Sequence, residues 1–236
     1  MKRLATTAVI LIALLATSPV AFAQGTHHCG GAPSRLSRQR LTFDDEFACD
    51  SSLRPVWQQG VINFAPFNAA NVAVSGGNLN LTVSAAGGAL VSTYPAFSFA
   101  YGTVEVRANM AYVGSAVVDW PAIWMLGTPN SHAGGEIDIA EGLSSLLCFT
   151  VHDPVNNYSG GCASGTYAGW HTYAATWSPT AVTFRYDGTV VGKITQDITG
   201  FPMYLALDDV PSNPIYSNSP NVVPSTMQVA FVRVYQ

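Results

Sequence analysis

Charged residues are scarce in this chain, and basic residues are the scarcest. Only 10% of its 236 residues are charged, and Lys193 is the single lysine after residue 23. Eight basic and 14 acidic residues remain in that part of the chain, which gives a net charge of −6. Phosphate backbones and anionic membrane surfaces bind clustered Lys and Arg side chains. We therefore expect no nucleic-acid partner, no membrane partner and no heavily sulfated polymer.

Long apolar runs are also missing after residue 23, which excludes an integral membrane protein. The first 23 residues contain Lys2 and Arg3, a short apolar run at 8–16 and the small-residue sequence Ala-Phe-Ala at 21–23. A charged start, a short apolar core and a small-residue exit are typical of a secretory signal peptide. We therefore predict a signal peptide at residues 1–23 and a secreted, extracellular protein.

Only four cysteines are present, namely Cys29, Cys49, Cys148 and Cys162. An exported protein enters an oxidising compartment, so we expect disulfides. Four cysteines allow three connectivities, and sequence proximity favours Cys29–Cys49 with Cys148–Cys162. No second pair of ligands at zinc spacing accompanies the histidines before Cys29, so we predict no metal site there.

The chain also lacks helical periodicity outside the signal peptide. Polar, irregular residues at 24–40 are predicted to form a spacer, and residues 41–236 a single domain. Short alternating runs at 102–110, 181–186 and 227–235 are typical of half-buried strands. The sequence therefore predicts an all-β sandwich or barrel.

What the chain does have is a cluster of acids inside one apolar run, at residues 134–142. On a strand, Glu136 and Asp138 point to the same face, because side chains alternate. Glu141 lies three residues after Asp138, and this odd step would send it to the opposite face. One extra residue, a β-bulge, would return it to the shared face. We predict that bulge, with all three carboxyl groups on one surface.

Three close carboxyl groups suit the hydrolysis of glycosidic bonds. Their mutual repulsion drives their pKa values apart. A glycosidase needs one carboxylate to act on the sugar and one carboxylic acid to protonate the leaving group. An exposed acidic strand or a calcium ligand set would also contain such acids. Unpaired carboxylates are costly inside an apolar strand, however, which favours a catalytic function.

The sequence at residues 136–141, E-I-D-I-A-E, resembles the E-[ILV]-D-x-x-E signature of glycoside hydrolase family 16. Further segments resemble those of the family in the same order, namely residues 41–47, 101–108, 120–125, 170–177, 186–188 and 231–235. The longer spacing of the acids resembles that of the laminarinase-like, agarase-like and carrageenase-like branches, of which the laminarinase-like branch is the first choice. The resemblance implies a concanavalin A-like β-jelly-roll sandwich whose concave face binds the sugar chain.

The resemblance also implies roles for the three acids. Glu136 would be the nucleophile, Asp138 its assistant and Glu141 the general acid/base of a retaining reaction. No cofactor is expected. Many family members bind a structural calcium ion through an Asp just before their last strand, but here that position is Ala230. Glu46 and a backbone carbonyl alone would be a poor calcium site.

Three further residues are candidates for substrate binding. Trp120 and Trp124 are four residues apart and so share one face of a strand, and the family resemblance implies that they line the cleft. Packing in the core is the alternative for both. His152 should lie on the next strand and resembles a family histidine near the catalytic acids, where it would either orient them or serve as a hydrogen-bonded structural histidine.

These observations predict a secreted, retaining endo-glycosidase that acts on a neutral β-linked polysaccharide, with an endo-β-1,3-glucanase as the first choice. Hydrolysis of another β-glycan such as a galactan, and transglycosylation, remain as alternatives within the same chemistry. A non-catalytic carbohydrate-binding jelly roll is the alternative from a different class. We expect the protein to be a monomer.

Overall fold

A computed structural model describes residues 39–236 of the chain, except residues 61, 63 and 128–133. The predicted signal peptide at 1–23, nearly all of the predicted spacer at 24–40, and Cys29 lie outside the described residues. In the part that is described, no helix has the length and apolar character needed to cross a membrane.

Antiparallel strands make up most of the described chain. They are β1 (Leu41–Glu46), β2 (Gln58–Gln59), β3 (Val72–Ser75), β4 (Asn78–Val83), β5 (Ala89–Ser92), β6 (Gly102–Asn109), β7 (Tyr112–Val113), β8 (Ala116–Val117), β9 (Trp120–Gly127), β10 (Glu136–Leu143), β11 (Leu146–His152), β12 (Tyr158–Cys162), β13 (Trp170–Ser178), β14 (Ala181–Tyr186), β15 (Thr189–Ile194), β16 (Met203–Val210) and β17 (Ser225–Tyr235). Two short 3-10 helices span Phe47–Cys49 and Ala69–Asn71. The strands predicted from alternating runs are confirmed as β6, β14 and β17.

Two large sheets are stacked. The outer sheet has the order β15-β14-β13-β6-β17-β4-β3, and β1 pairs with the last part of β17. The inner sheet has the order β12-β11-β10-β9-β16-β5-β2. Strands that are neighbours in a sheet are often far apart in sequence, as in a jelly roll. The predicted all-β sandwich is therefore confirmed.

The main core lies between the two sheets. The central strands of the inner sheet send alternate side chains into it, such as Ile123 and Met125 of β9. The outer sheet contributes large, fully buried side chains such as Trp177, Tyr173 and Tyr186. Burial of each large apolar side chain contributes about 1.5–3 kcal/mol, so this core fixes the inner sheet as a rigid platform.

The other face of the inner sheet is divided into an apolar part and an acidic part. Its β5, β16 and β9 strands carry a second apolar cluster, which consists of Ile62, Leu90, Ala122, Trp124, Leu126, Tyr204 and Ala206. The neighbouring β10 carries the acids. The predicted disulfide between Cys148 and Cys162 is confirmed, and it joins β11 to β12 at this edge.

Candidate active site

The predicted β-bulge is present in β10. Asp138 pairs with Thr150 of β11, and Glu141 pairs with Cys148, so two residues of β10 stand opposite one residue of β11. The register against β9 shifts at the same place. The extra residue reverses the alternation of side chains, which brings Glu141 back to the face that carries Asp138.

As a result, the acids of β10 lie on one face of the sheet and its apolar residues lie on the other. The apolar residues between the acids, Ile137, Ile139 and Ala140, belong to the core between the sheets. Glu136 lies between Leu126 and His152 on the neighbouring strands, and Glu141 lies beside Ala122. The predicted acidic surface is therefore formed by a single strand on the open face.

Glycines at both ends of the acidic run allow this arrangement. Gly135 has a φ of +82°, and a Cβ atom there would lie 2.5 Å from Thr199. Past the bulge, a Cβ atom on Gly142 would lie 2.7 Å from the ring of Pro121. Positive φ and close approach both favour glycine, so larger residues at these positions would displace the acids from their neighbours.

His152 lies beside two of the acids, as predicted. Its Nε2 is 3.3 Å from Asp138 Oδ2 and 4.0 Å from Glu136 Oε1. Its Nδ1 is 3.1 Å from the side-chain oxygen of Asn156, which orients the ring. Burial opposes the charged imidazolium, but the hydrogen bond and charge of Asp138 outweigh it and raise the pKa of His152. The acids thus have a nearby cation at the Glu136 end.

Trp120 contacts the third acid directly. Its indole Nε1 donates a hydrogen bond of 2.8 Å to Glu141 Oε1. The indole ring is stacked on Tyr216 with centroids 5.5 Å apart, and the edge of Phe64 meets it at 5.6 Å. Both contacts restrict the ring, so Trp120 holds the carboxyl group of Glu141 in one place.

Trp124 shares the face of Trp120, as predicted, but it is 7% exposed and forms part of the apolar cluster. Its Nε1 donates a hydrogen bond of 2.6 Å to Asp208 Oδ1. Ala122 of β9 pairs with Asp208 of β16 on one side and with Glu141 of β10 on the other, so the three residues lie side by side across the sheet. Burial raises the pKa of Asp208 well above its ordinary value, and the charge of Glu141 adds to this effect. Asp208 therefore binds its proton more tightly than an ordinary aspartic acid.

The proton affinity of the two glutamates is raised together. Burial raises the pKa of Glu136 well above its ordinary value, and the charges of Asp138 and Glu141 raise it further. Burial also raises the pKa of Glu141 to about 8, with the charge of Asp138 as the second cause. Interacting acids lose protons in steps that belong to the group. The charge of His152 lowers the pKa of Glu141 and so opposes part of this rise.

The same side chains include the only potential metal ligands grouped within the described ranges. Donor atoms of Glu136, Asp138 and His152 lie within 4.8 Å of one another. The calcium site that the family resemblance implies does not fit this chain. Ala230 offers no side-chain oxygen, and the carboxylate of Glu46 accepts a hydrogen bond from Arg233 instead.

Comparison with known proteins agrees with this geometry. Residues 63–216, which include all three acids, match the family described as glycosyl hydrolases family 16. The chain belongs to this family. The family prediction made from the acid motif is therefore confirmed.

Two curated relatives of this family 16 chain have named activities. It is 33% identical over 162 residues to keratan-sulfate endo-1,4-β-galactosidase of Sphingobacterium multivorum, a match that covers 59% of this chain and 38% of that protein. It is 31% identical over 178 residues to glucan endo-1,3-β-glucosidase A1 of Niallia circulans, a match that covers 62% of this chain and 26% of that protein. The chain thus spans less than two fifths of the length of either relative.

Solved structures show the same fold. The laminarinase catalytic domain of Thermotoga maritima superimposes with a TM-score of 0.70 at 20% identity, covering 84% of this chain and 98% of that one. The jelly-roll sandwich that the family resemblance implies is confirmed by this shared fold, and the laminarinase-like branch stays a prediction.

Sequence reasoning missed Asp208 and Tyr216 as neighbours of the acids. The signal for Asp208 was available, because it lies in the apolar run Met203–Val210 just as the three acids lie in theirs. Tyr216 gave no such signal, because it lies in the irregular segment between β16 and β17.

Proposed function

We propose that the chain is a secreted, retaining endo-glycosidase that hydrolyses a neutral β-linked polysaccharide, with β-1,3-glucan as the first choice of substrate. The observation that carries this proposal is the bulge in β10, which places Glu136 and Glu141 on one open face. Two carboxyl groups that flank a glycosidic bond from one strand can act on it together. Residues 1–23 have the pattern of an export signal, which supports secretion.

In the proposed reaction Glu136 attacks the anomeric carbon while the bond from that carbon to the leaving oxygen breaks. Glu141 donates its proton to the leaving oxygen, so a covalent glycosyl-enzyme and a free sugar end are formed. Glu141 then takes a proton from water, and the water oxygen displaces Glu136. The raised pKa of Glu141 suits the first step, since the group must begin protonated.

A neutral substrate is supported by the distribution of basic residues. The seven strands of the inner sheet contain neither Lys nor Arg, whereas β6, β14, β15 and β17 of the outer sheet carry Arg107, Arg185, Lys193 and Arg233. The acidic face would repel a sulfated or carboxylated chain, because His152 is the only basic side chain beside the acids in the part of the chain that the structure describes.

An aromatic wall beside Glu141 supports binding of a sugar chain. Phe64 is 42% exposed and Tyr216 is 64% exposed, and both contact Trp120. Aromatic rings combine a large apolar surface with little conformational freedom, which suits the C–H faces of sugar rings. The wall extends the candidate binding surface beyond the catalytic acids.

Two polysaccharide classes are favoured by the comparisons. The name of the relative from Niallia circulans supports a β-1,3-glucan, and laminarinase neighbours have the same fold. The relative from Sphingobacterium multivorum is slightly more similar and supports a β-galactan as the second candidate. We rank the glucan first because the galactan in that name is sulfated, and the acidic face disfavours sulfate groups.

The test is digestion of purified β-1,3-glucan, mixed-linkage β-glucan, xyloglucan and unsulfated and sulfated galactans, followed by proton NMR. We expect early release of oligosaccharides from β-1,3-glucan, with the β-anomer appearing first. Glu136→Gln is the control for contaminating activity. An α-anomer as the first product would refute the retaining mechanism. Cleavage of galactan alone would make galactan the substrate in place of the glucan. Products longer than the substrate would reveal transglycosylation, whereas binding without cleavage would support a non-catalytic carbohydrate-binding protein.

A further inference from the structure

The bulge in β10 contacts a side chain that comes from the opposite sheet. Tyr186 is the last residue of β14 in the outer sheet, and its hydroxyl group reaches across the core. It donates a hydrogen bond of 2.9 Å to the backbone carbonyl of Ile139. The same hydroxyl lies 3.4 Å from the carbonyl of Cys148 on β11. The hydroxyl group therefore bridges the two strands where the bulge interrupts their regular pairing.

This contact provides a hydrogen-bond partner for a backbone group that a bulge leaves unpaired. The extra residue in a bulge is left unpaired and disturbs the ladder of backbone hydrogen bonds. An unpaired carbonyl group is costly when it is buried, and Ile139 is fully buried. The hydroxyl of Tyr186 satisfies that carbonyl without lengthening either strand.

Tyr186 is well suited to hold one geometry. It is 1% exposed, and its ring packs edge-on against Tyr167 and Tyr173, with centroids 5.0 and 4.9 Å away. Burial raises the pKa of Tyr186 well above its ordinary value, so the hydroxyl stays protonated and remains a donor. The nearby charges of Asp138 and Glu141 add to that effect, which is consistent with its place behind them.

We propose that Tyr186 is a positioning residue of this active site. Its hydroxyl group fixes the bulge of β10 and thereby keeps Glu141 on the face that carries Glu136. The role rests on the proposed glycosidase function, since it concerns the placement of the acid/base. Tyr186 touches no substrate, because the whole inner sheet lies between its ring and the open face.

Tyr173 provides a matched control. It is also fully buried in the outer sheet and packs against the same aromatic rings. Its hydroxyl group has no hydrogen-bond partner among the described residues. Tyr173→Phe and Tyr186→Phe therefore remove the same atom from the same layer of the core, but only the second change reaches the bulge.

The experiment measures kcat, KM and the pH profile of both variants on the polysaccharide that the wild type cleaves. We expect Tyr186→Phe to lower kcat by about 10- to 100-fold, because small misplacements of a catalytic group have effects of this size. We expect its KM to stay within about twofold of the wild type, since the binding surface is untouched. The pH at which activity is lost on the alkaline side should also differ from that of the wild type. Tyr173→Phe should match the wild type in kcat, in KM and in the pH profile.

Amide hydrogen exchange gives a second readout that needs no substrate. In Tyr186→Phe, the backbone amides of residues 139–142 should exchange faster than in the wild type, and in Tyr173→Phe they should not. If kcat, the pH profile and the amide hydrogen exchange of Tyr186→Phe all equalled those of the wild type, the positioning role would be wrong. If the wild type cleaved nothing, the glycosidase proposal would fail, yet faster exchange at the bulge would still establish that Tyr186 holds it.

Discussion

Two clusters of buried acids, one on each sheet, differ in the cation that accompanies them. On the outer sheet, Asp44, Glu46 and Glu105 surround Arg233. On the inner sheet, His152 of β11 is the only basic side chain beside the three acids of β10 within the described residues. An arginine is charged at every accessible pH, whereas a histidine gains and loses its proton near neutrality. The outer cluster therefore contains a permanent cation, whereas the charge of the basic partner in the inner cluster changes with pH.

The outer cluster is built from strands that meet at Arg233. Its register partners are Asp44 on β1 and Glu105 on β6, and the guanidinium also lies 4.0 Å from the ring of Phe231. Burial disfavours the charge, but the hydrogen bond to Glu46 and the charges of Asp44, Tyr235 and Glu46 together outweigh this and raise the pKa of Arg233. Buried acids with a permanent cation stabilise the fold only as long as every member is present.

The difference shows that burial of acids alone does not identify a catalytic site. Both clusters lie on strands and both contain three carboxyl groups, but within the described residues only the outer one contains a permanent cation. In the inner cluster, burial raises the pKa of Glu141 to about 8, with the charge of Asp138 as the second cause. A group that holds a proton near neutral pH can donate it to a leaving group.

Substitution of an acid should have opposite consequences in the two clusters. Glu141→Gln should lower activity by about 10²- to 10⁴-fold, because it removes the proton donor. Its melting temperature should stay equal or rise, since one of the repelling acids is lost. Glu105→Gln is the matched change on the outer sheet and should lower the melting temperature while preserving activity. Equal effects of the two variants on stability would contradict the comparison.

Removal of the outer cation should be the most destabilising single change. Arg233→Met leaves three buried carboxyl groups without their partner, and such a change costs about 3–5 kcal/mol in the free energy of unfolding. Urea titration measures this loss. Arg185→Met is the control, because that guanidinium donates to Thr176 on the surface of the same sheet and pairs with no acid within the described chain. A loss as large in Arg185→Met would mean that the pairing is not the cause.

The pH dependence of activity should follow the proton on Glu141. Activity requires the protonated form, so the rate should fall as the pH rises through about 8. The N–H of Trp120 stabilises the ionised form and lowers this pKa. Trp120→Phe should therefore move the alkaline limb of kcat to higher pH, whatever it does to KM. A limb that moves to lower pH would show that the hydrogen bond does not act on the ionised form.

The buried acid Asp208 should affect stability in a pH-dependent way. Its pKa is raised on folding, so the folded state keeps a proton that the unfolded chain loses, and stability falls as the pH rises. Asp208→Asn should remove this loss while keeping an acceptor for Trp124. Its advantage over the wild type should grow as the pH rises above about 4, where an ordinary aspartic acid loses its proton, by at most about 1.4 kcal/mol per pH unit. Thermal melting across that range measures it, and an advantage independent of pH would refute the assignment.

The sequence was sufficient to predict the inner cluster because the necessary information is local. The positions of Glu136, Asp138 and Glu141 differ by two and three residues, and the alternation of side chains on a strand then requires a bulge. His152 was predictable for a similar reason, since the next strand of a hairpin returns beside the first. The fold class followed from short alternating runs without helical periodicity.

Contacts between distant segments could not be predicted in this way. Tyr186 is 47 residues from the carbonyl that it binds, and Trp124 is 84 residues from Asp208. Arg233 meets Asp44 across 189 residues. These pairs depend on which strands become neighbours, and alternation within a strand carries no information on that. The resemblance to a family supplied the sheet topology but not the partners of individual side chains.

The bulge also determines at which positions of β10 one residue could be deleted while the acids stay on one face. Deletion of one of the two residues between Asp138 and Glu141 changes their step from odd to even, so a regular strand would still place both on the same face. Deletion of Ile137 would instead make Glu136 and Asp138 adjacent and so place them on opposite faces. The separation of the two glutamates can thus be changed by a single codon without loss of their common orientation.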